Sequence, residues 1–178
     1  MSGVPLVADD HPGLRALAAR GIPPSNLYRA LANQPAMLEA WTGFAWKLRE
    51  DATTPRALRE LLILRAAQLA SAHYVWQDHV PMATAAGVAP DRIDALASWE
   101  GSDAFDAAER AALAFTDELI ARPAVQDATL AALEHHFDVP ERVELALTVG
   151  FYAMVPRVLE ALRVPLARLS EPLAVPFR

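Results

Sequence analysis

The chain has 178 residues, a formal charge of −6 and no cysteine. That length suits one domain with a sizeable core, and the missing thiols remove disulfides, thiolate nucleophiles and thiolate metal ligands. A single lysine (Lys47) and fifteen arginines form no basic stripe, which argues against nucleic acid as a partner.

Hydrophobic residues make up 53% of the chain, rich in Ala and Leu, with only 7 Gly, a composition of packed helices rather than turn-rich sheet. Residues 1–24 read as an arm with a short helix. The opening MSGVPLVADDHPG lacks a basic region followed by an apolar run, so no signal peptide is expected. His11 to Arg20 suits a short helix ended by Gly21. Ser25 suits the cap of a turn through Leu31, and Pro35 the first residue of a helix to about Arg49, with Leu38, Trp41, Ala45 and Leu48 on one face. Thr54 reads as an N-cap, with Pro55 next and a helix to about Ser71. A helix from His73 to Ala86 stops at Gly87, and Pro90 opens another through Ala97. Asp103 is expected to cap a helix from Phe105 to Ala121, and Asp127 to Phe137 is the next. Pro140 opens a last helix to about Leu162, with Leu145, Val149, Tyr152 and Leu159 at helical spacing and a kink at Pro156. The proline-bearing tail, 169–178, is expected to be irregular. Charges interrupt the apolar stretches short of 18 residues, so no membrane span is expected, and a cytoplasmic protein follows. No alternating strand pattern occurs, so the fold class is all-α.

The segment from 55 to 87 carries the candidate chemistry. Glu60 lies among Ala57, Leu61, Ile63, Leu64 and Ala67. Further on, Ala72, Val75, Trp76, His79 and Ala83 recur at three and four residues and share one helical face, which points His79 inward. Pro81 has no N–H for the carbonyl of Gln77. Two antiparallel helices joined near Ala70 place Glu60 and His79 at similar depth. A carboxylate on an imidazole N–H fixes the tautomer and makes the other nitrogen a better base. Tyr74 and Asp78 lie one turn apart on an adjacent face and extend the network, while Trp76 supplies a pocket wall.

This segment resembles the carboxymuconolactone decarboxylase and alkylhydroperoxidase-D-like superfamily, whose redox members carry E-x11-C-x-x-C-x-x-x-H on a helical hairpin. Laid on this chain, the pattern puts its glutamate on Glu60, its histidine on His79 and its two cysteines on Ala72 and Val75. The text RELLILRAAQLASAHYVWQDHVPMATAAGV is similar to a cysteine-free branch, and PERVELALTVGFYAMVPRVLEALRVPL to the end of the family's domain, so the resemblance covers 25–168. It implies a single-domain helical bundle of the alkylhydroperoxidase-D-like type, assembly into dimers, trimers or hexamers, and a pocket near a subunit interface. Thiol-based peroxide reduction is disfavoured, because neither Ala72 nor Val75 supplies sulfur.

The decarboxylase members imply chemistry that needs no thiol: acid/base work on a small organic acid or lactone, without a cofactor. His79 then acts as acid/base and Glu60 orients it; Arg65 and Arg157 are the arginines considered for an anionic substrate. The competing readings are a noncatalytic oligomeric small-molecule binder and, for Glu60 alone, a salt bridge to Arg56 or Arg65. Glu144 reads as structural, since no histidine follows at the matching distance. His73 and His79 lack the spacing of a helical zinc pair, and no metal site is expected.

Overall fold

The computed structural model describes residues 3–166, and every regular element among them is helical. In chain order these are α1 (Arg15–Ala19), α2 (Asn26–Leu31), α3 (Pro35–Glu50), α4 (Arg56–Leu69), α5 (His73–Ala85), α6 (Pro90–Ala95), α7 (Ala107–Ala121), α8 (Asp127–His136) and α9 (Val139–Leu162). Short 3-10 segments precede α1 (Pro12–Leu14) and follow α6 (Leu96–Gly101). The expected irregular tail over 169–178 lies outside the described residues.

Two compact units can be distinguished, residues 3–50 with 157–166, and residues 51–156. In the first, Leu14, Leu17, Ala32 and Leu38 form a buried cluster, with Val7, Ile22, Tyr28 and Leu31 packed against it. Ser25 caps α2 as its position suggests, its hydroxyl accepting from the Tyr28 N–H at 3.3 Å.

The second unit is built around α4, which packs against α5, α7 and the 3-10 segment after α6. From Leu58 to Leu64 and again from Ala66 to Gln68, every α4 residue is buried. A helix buried on most of its circumference is the centre of a core rather than an amphipathic cover. At its start the expected Thr54 cap is not made. Pro55 stands at the N-cap position without a side-chain bond. The Thr54 carbonyl and, at 3.1 Å, its hydroxyl accept instead from the Arg59 guanidinium. The Thr53 and Thr54 N–H groups donate to Glu144 of α9, each at 2.8 Å. Glu144 is thus structural, as its sequence setting suggests. Burial pushes its carboxyl up, but the hydrogen bonds from Thr53 and Thr54 outweigh that and hold it below the ordinary glutamate range.

Local signals end and start the other helices. α4 closes with the Ala72 N–H on the Ala67 carbonyl at 2.8 Å and the Ser71 N–H on the Gln68 carbonyl at 3.1 Å, with Ser71 left-handed at φ +51°. This is a Schellman closure with serine where glycine is usual. α5 closes the same way at Gly87, φ +92°. The cap of α7 is Asp106 rather than the expected Asp103: its carboxylate accepts from the Glu109 N–H, and Glu109 accepts from the Asp106 N–H. An acidic residue with glutamate three positions later is the capping-box signature, which Asp103 lacks.

α9 has the expected extent, but its charges are sparser than expected, at most two within its most apolar 18 residues. It runs 24 residues, long and apolar enough by length and composition to cross a membrane. The expectation that no stretch passes that test is corrected to this extent. A helix of this length and composition also occurs as the core helix of a globular protein.

Candidate active site

Glu60 and His79 meet. The α4–α5 hairpin brings the His79 Nδ1 to 2.7 Å from the Glu60 Oε2, with Glu60 0% and His79 6% exposed. The face of α5 expected to point inward does so: Ala72, Val75, Trp76, His79 and Ala83 are all buried. The other Glu60 oxygen, Oε1, is held by the Arg56 guanidinium, one turn earlier on α4. Residues four apart share a helix face, so Arg56 reaches Glu60 without leaving α4. Tyr152 of α9 stands against the His79 ring, with centroids 4.8 Å apart and the planes at 85°. Phe151 in turn stands edge-on to Tyr152 at 5.4 Å.

The electrostatics follow from burial. An isolated carboxylate taken out of water is costly and ordinarily neutralises, so a fully buried Glu60 needs a counter-charge. Arg56 provides it. An ionised carboxylate only accepts hydrogen bonds, so the contact with His79 is made by an Nδ1–H. The imidazole is then restrained twice, by Glu60 along its Nδ1 axis and by the Tyr152 ring against rotation of its plane. Arg59, three residues on from Arg56, is buried beside this group. Burial, and after it the charge of Arg56, push its guanidinium down, while Glu144 and Glu60 act in the opposite sense. An oriented imidazole in a largely apolar setting is equipped for proton transfer. Among the described residues, no trio of His, Asp or Glu is arranged to hold a metal ion.

The other sequence candidates fall in different places. Trp76 is buried on the His79 face, Tyr74 is half-buried and Asp78 exposed, all on α5. Ala72 and Val75, where the resembled redox pattern has cysteines, are 8% and 2% exposed on the same face as His79. Arg65 is committed elsewhere. It lies about 140° round α4 from Glu60, and its Nε and Nη2 donate to the two Asp117 oxygens at 2.6 and 2.7 Å. Its Nη1 donates to the Leu96 carbonyl at 3.1 Å. Arg157 is exposed on α9 and falls in the other unit. Two participants were missed as parts of the site. In the sequence Arg56 reads only as a salt-bridge partner that makes Glu60 structural, although its four-residue spacing places it on the Glu60 face. Tyr152 was placed on the apolar face of α9, but no local signal names its partner.

Residues 35–118 match the model of the carboxymuconolactone decarboxylase family. No match is found among proteins of curated function. Solved structures share the fold. A cysteine-to-alanine variant of the debrominase Bmp8, in complex with 2,3,4-tribromopyrrole, aligns at TM-score 0.79 with 20% identity over 94% of this chain and 92% of its own. An uncharacterised peroxidase-related protein from a Silicibacter species aligns at 0.77 with 21% identity, over 91% and 88%. A protein of unknown function from Agrobacterium tumefaciens, described as an antioxidant defence protein of the AhpD type, aligns at 0.71 with 20% identity, over 78% and 96%.

Proposed function

We propose that this chain, a member of the carboxymuconolactone decarboxylase family by its residues 35–118, is a thiol-independent acid/base enzyme of the lyase, decarboxylase-like type acting on a small organic acid or lactone. The buried Glu60–His79 pair supports the reading most directly, because it persists at 2.7 Å in a chain with no cysteine. His79 moves the proton and Glu60 orients it. Loss of carbon dioxide from an acidic lactone leaves an extended enolate whose carbon must be protonated, a step that needs a placed acid/base and no sulfur. No external cofactor enters this scheme, and the working compartment is the cytoplasm.

The family's thiol peroxidase chemistry does not transfer. An attacking thiolate and a resolving thiol are required, and alanine and valine occupy both positions. The debromination named for one structural neighbour belongs to that protein. A self-associating protein is part of the proposal. Val139, Val143, Leu147 and Met154 leave an exposed apolar strip along α9, and Leu130, Val139 and Val143 line a groove of about 280 Å³. Exposed apolar patches of this kind favour protein contacts.

The test is replacement of His79 by Gln, assayed for turnover of a lactone and of a β-keto acid, with helix content checked by circular dichroism. Collapse of turnover in a folded protein supports the enzyme. Full retention removes His79 from the chemistry and leaves the noncatalytic binder.

A further inference from the structure

We propose that Arg56 is a positioning residue that decides which nitrogen of His79 carries the lone pair, and so makes the resting imidazole a proton acceptor at Nε2. This inference rests on the acid/base reading of His79.

The argument begins with Glu60, which has no exposure to water and has Arg56 on one oxygen and His79 on the other. A buried carboxyl has two self-consistent states. With Arg56 in place it is ionised, accepts from Nδ1–H, and leaves Nε2 unprotonated. Without that guanidinium the carboxyl regains its proton, donates it to the Nδ1 lone pair, and the imidazole hydrogen moves to Nε2. The two states differ in the direction of the first proton transfer. In the first, the Nε2 lone pair takes up a proton from solvent, and the imidazolium so formed gives it to the enolate carbon that loss of carbon dioxide leaves. In the second, Nε2 has a hydrogen to share and no lone pair to accept one.

Among the described residues, the other charged and titratable groups around the pair have contacts of their own. On α4, Arg59 is electrostatically coupled to Glu60 but gives its Nη1 hydrogens to Thr54. On α9, Glu144 accepts from Thr53 and Thr54, and Tyr152 meets the imidazole through its ring. Asp78, on α5 itself, is exposed. Arg56 holds the Glu60 carboxylate directly, at an ordinary one-turn spacing.

The full-length protein labelled with ¹⁵N-histidine gives the readout by long-range ¹H–¹⁵N correlation at neutral pH, with the His79 signals assigned by their loss in His79→Gln. In the wild type, Nδ1 is expected at the protonated position and Nε2 at the unprotonated one. Arg56→Met is expected to interchange the two, and Arg56→Lys to restore the wild-type pattern. A wild type with hydrogen on Nε2, or an Arg56→Met spectrum unchanged from it, overturns the proposal. Should Arg56→Met fail to fold, Arg56→Gln takes its place, since it also removes the cation: interchange of the two positions supports the proposal, and a spectrum unchanged from the wild type overturns it. The measurement uses no substrate, so a failure of the proposed activity and a failure of the tautomer assignment are read separately.

Discussion

Helix α4 carries two arginine–carboxylate pairs, and they end differently. Arg65 closes on Asp117 with two parallel N–H bonds, its remaining donors meet the Leu96 carbonyl and Gln68, and Asp117 also accepts from the Trp99 indole at 3.1 Å. Each main donor has a protein acceptor, so the group is a strut between α4, α7 and the 3-10 segment. Arg56 also meets a carboxylate, but the chain of contacts continues from Glu60 to an imidazole whose second nitrogen the pair does not consume. The same two residue types on one helix thus give a closed brace and an open-ended relay. What separates them is that the second partner of Glu60 is an imidazole, whose two ring nitrogens can each give or take a hydrogen.

The largest expected effect lies on the relay. Replacing His79 by Gln is expected to lower turnover about 10²–10⁴-fold, the range of a positioned general acid or base, with little change in the urea midpoint. Arg65→Met should do the opposite. Stranding a partly buried carboxylate costs about 2–3 kcal/mol here, below the 3–5 of a fully buried pair, because the Asp117 side chain keeps 25% exposure. Urea denaturation measures that loss, while turnover per folded molecule should stay within about twofold. If Arg65→Met cuts turnover as His79→Gln does, the brace and the relay are one unit.

Legibility in the sequence followed the same division. The hairpin and the Glu60–His79 meeting were readable because both lie on helices joined by a short turn, where spacing alone fixes depth and face. Thr54 reads as a cap but is not one, because its hydrogen bonds are set by Arg59 and by Glu144, a residue far along the chain. Tyr152 escaped for the same reason. Asp106, by contrast, is legible as a cap, since Glu109 stands three residues on, a signature that the earlier Asp103 lacks.

Glu144 offers a smaller test, on an acidic group that is purely structural. Its carboxyl is held below the ordinary range, so its contribution is full above the unfolded pKa and disappears as pH falls through the folded value. Glu144→Gln should therefore cost about 1 kcal/mol at pH 7, the hydrogen bonds being discounted for solvent exposure. The gap from wild type should close on acidification below about pH 4, the unfolded glutamate range. Thermal melts at pH 7 and pH 3 measure it. An equal gap at both pH values would mean that the ionised form carries no advantage. The smallest effect expected is none: with a dithiol donor, peroxide should be consumed only at background rate. Consumption well above background would return the hairpin to redox chemistry by a route that needs no cysteine in this chain.

Glu60 and His79 are 19 residues apart along the chain, with the Ser71 turn between them. A loop that short closes with little loss of chain entropy, and helical hairpins held by local contacts form quickly. The proton-transfer pair is therefore written into a stretch that can organise itself during folding before α9 arrives with Tyr152 and Glu144. In kinetic terms, mutations in the Ala70–Ala72 turn should act on the folding rate, and mutations at Tyr152 mainly on the unfolding rate. Rates divided in that way would mark a site built in an order, with its chemistry placed first and its restraint added last.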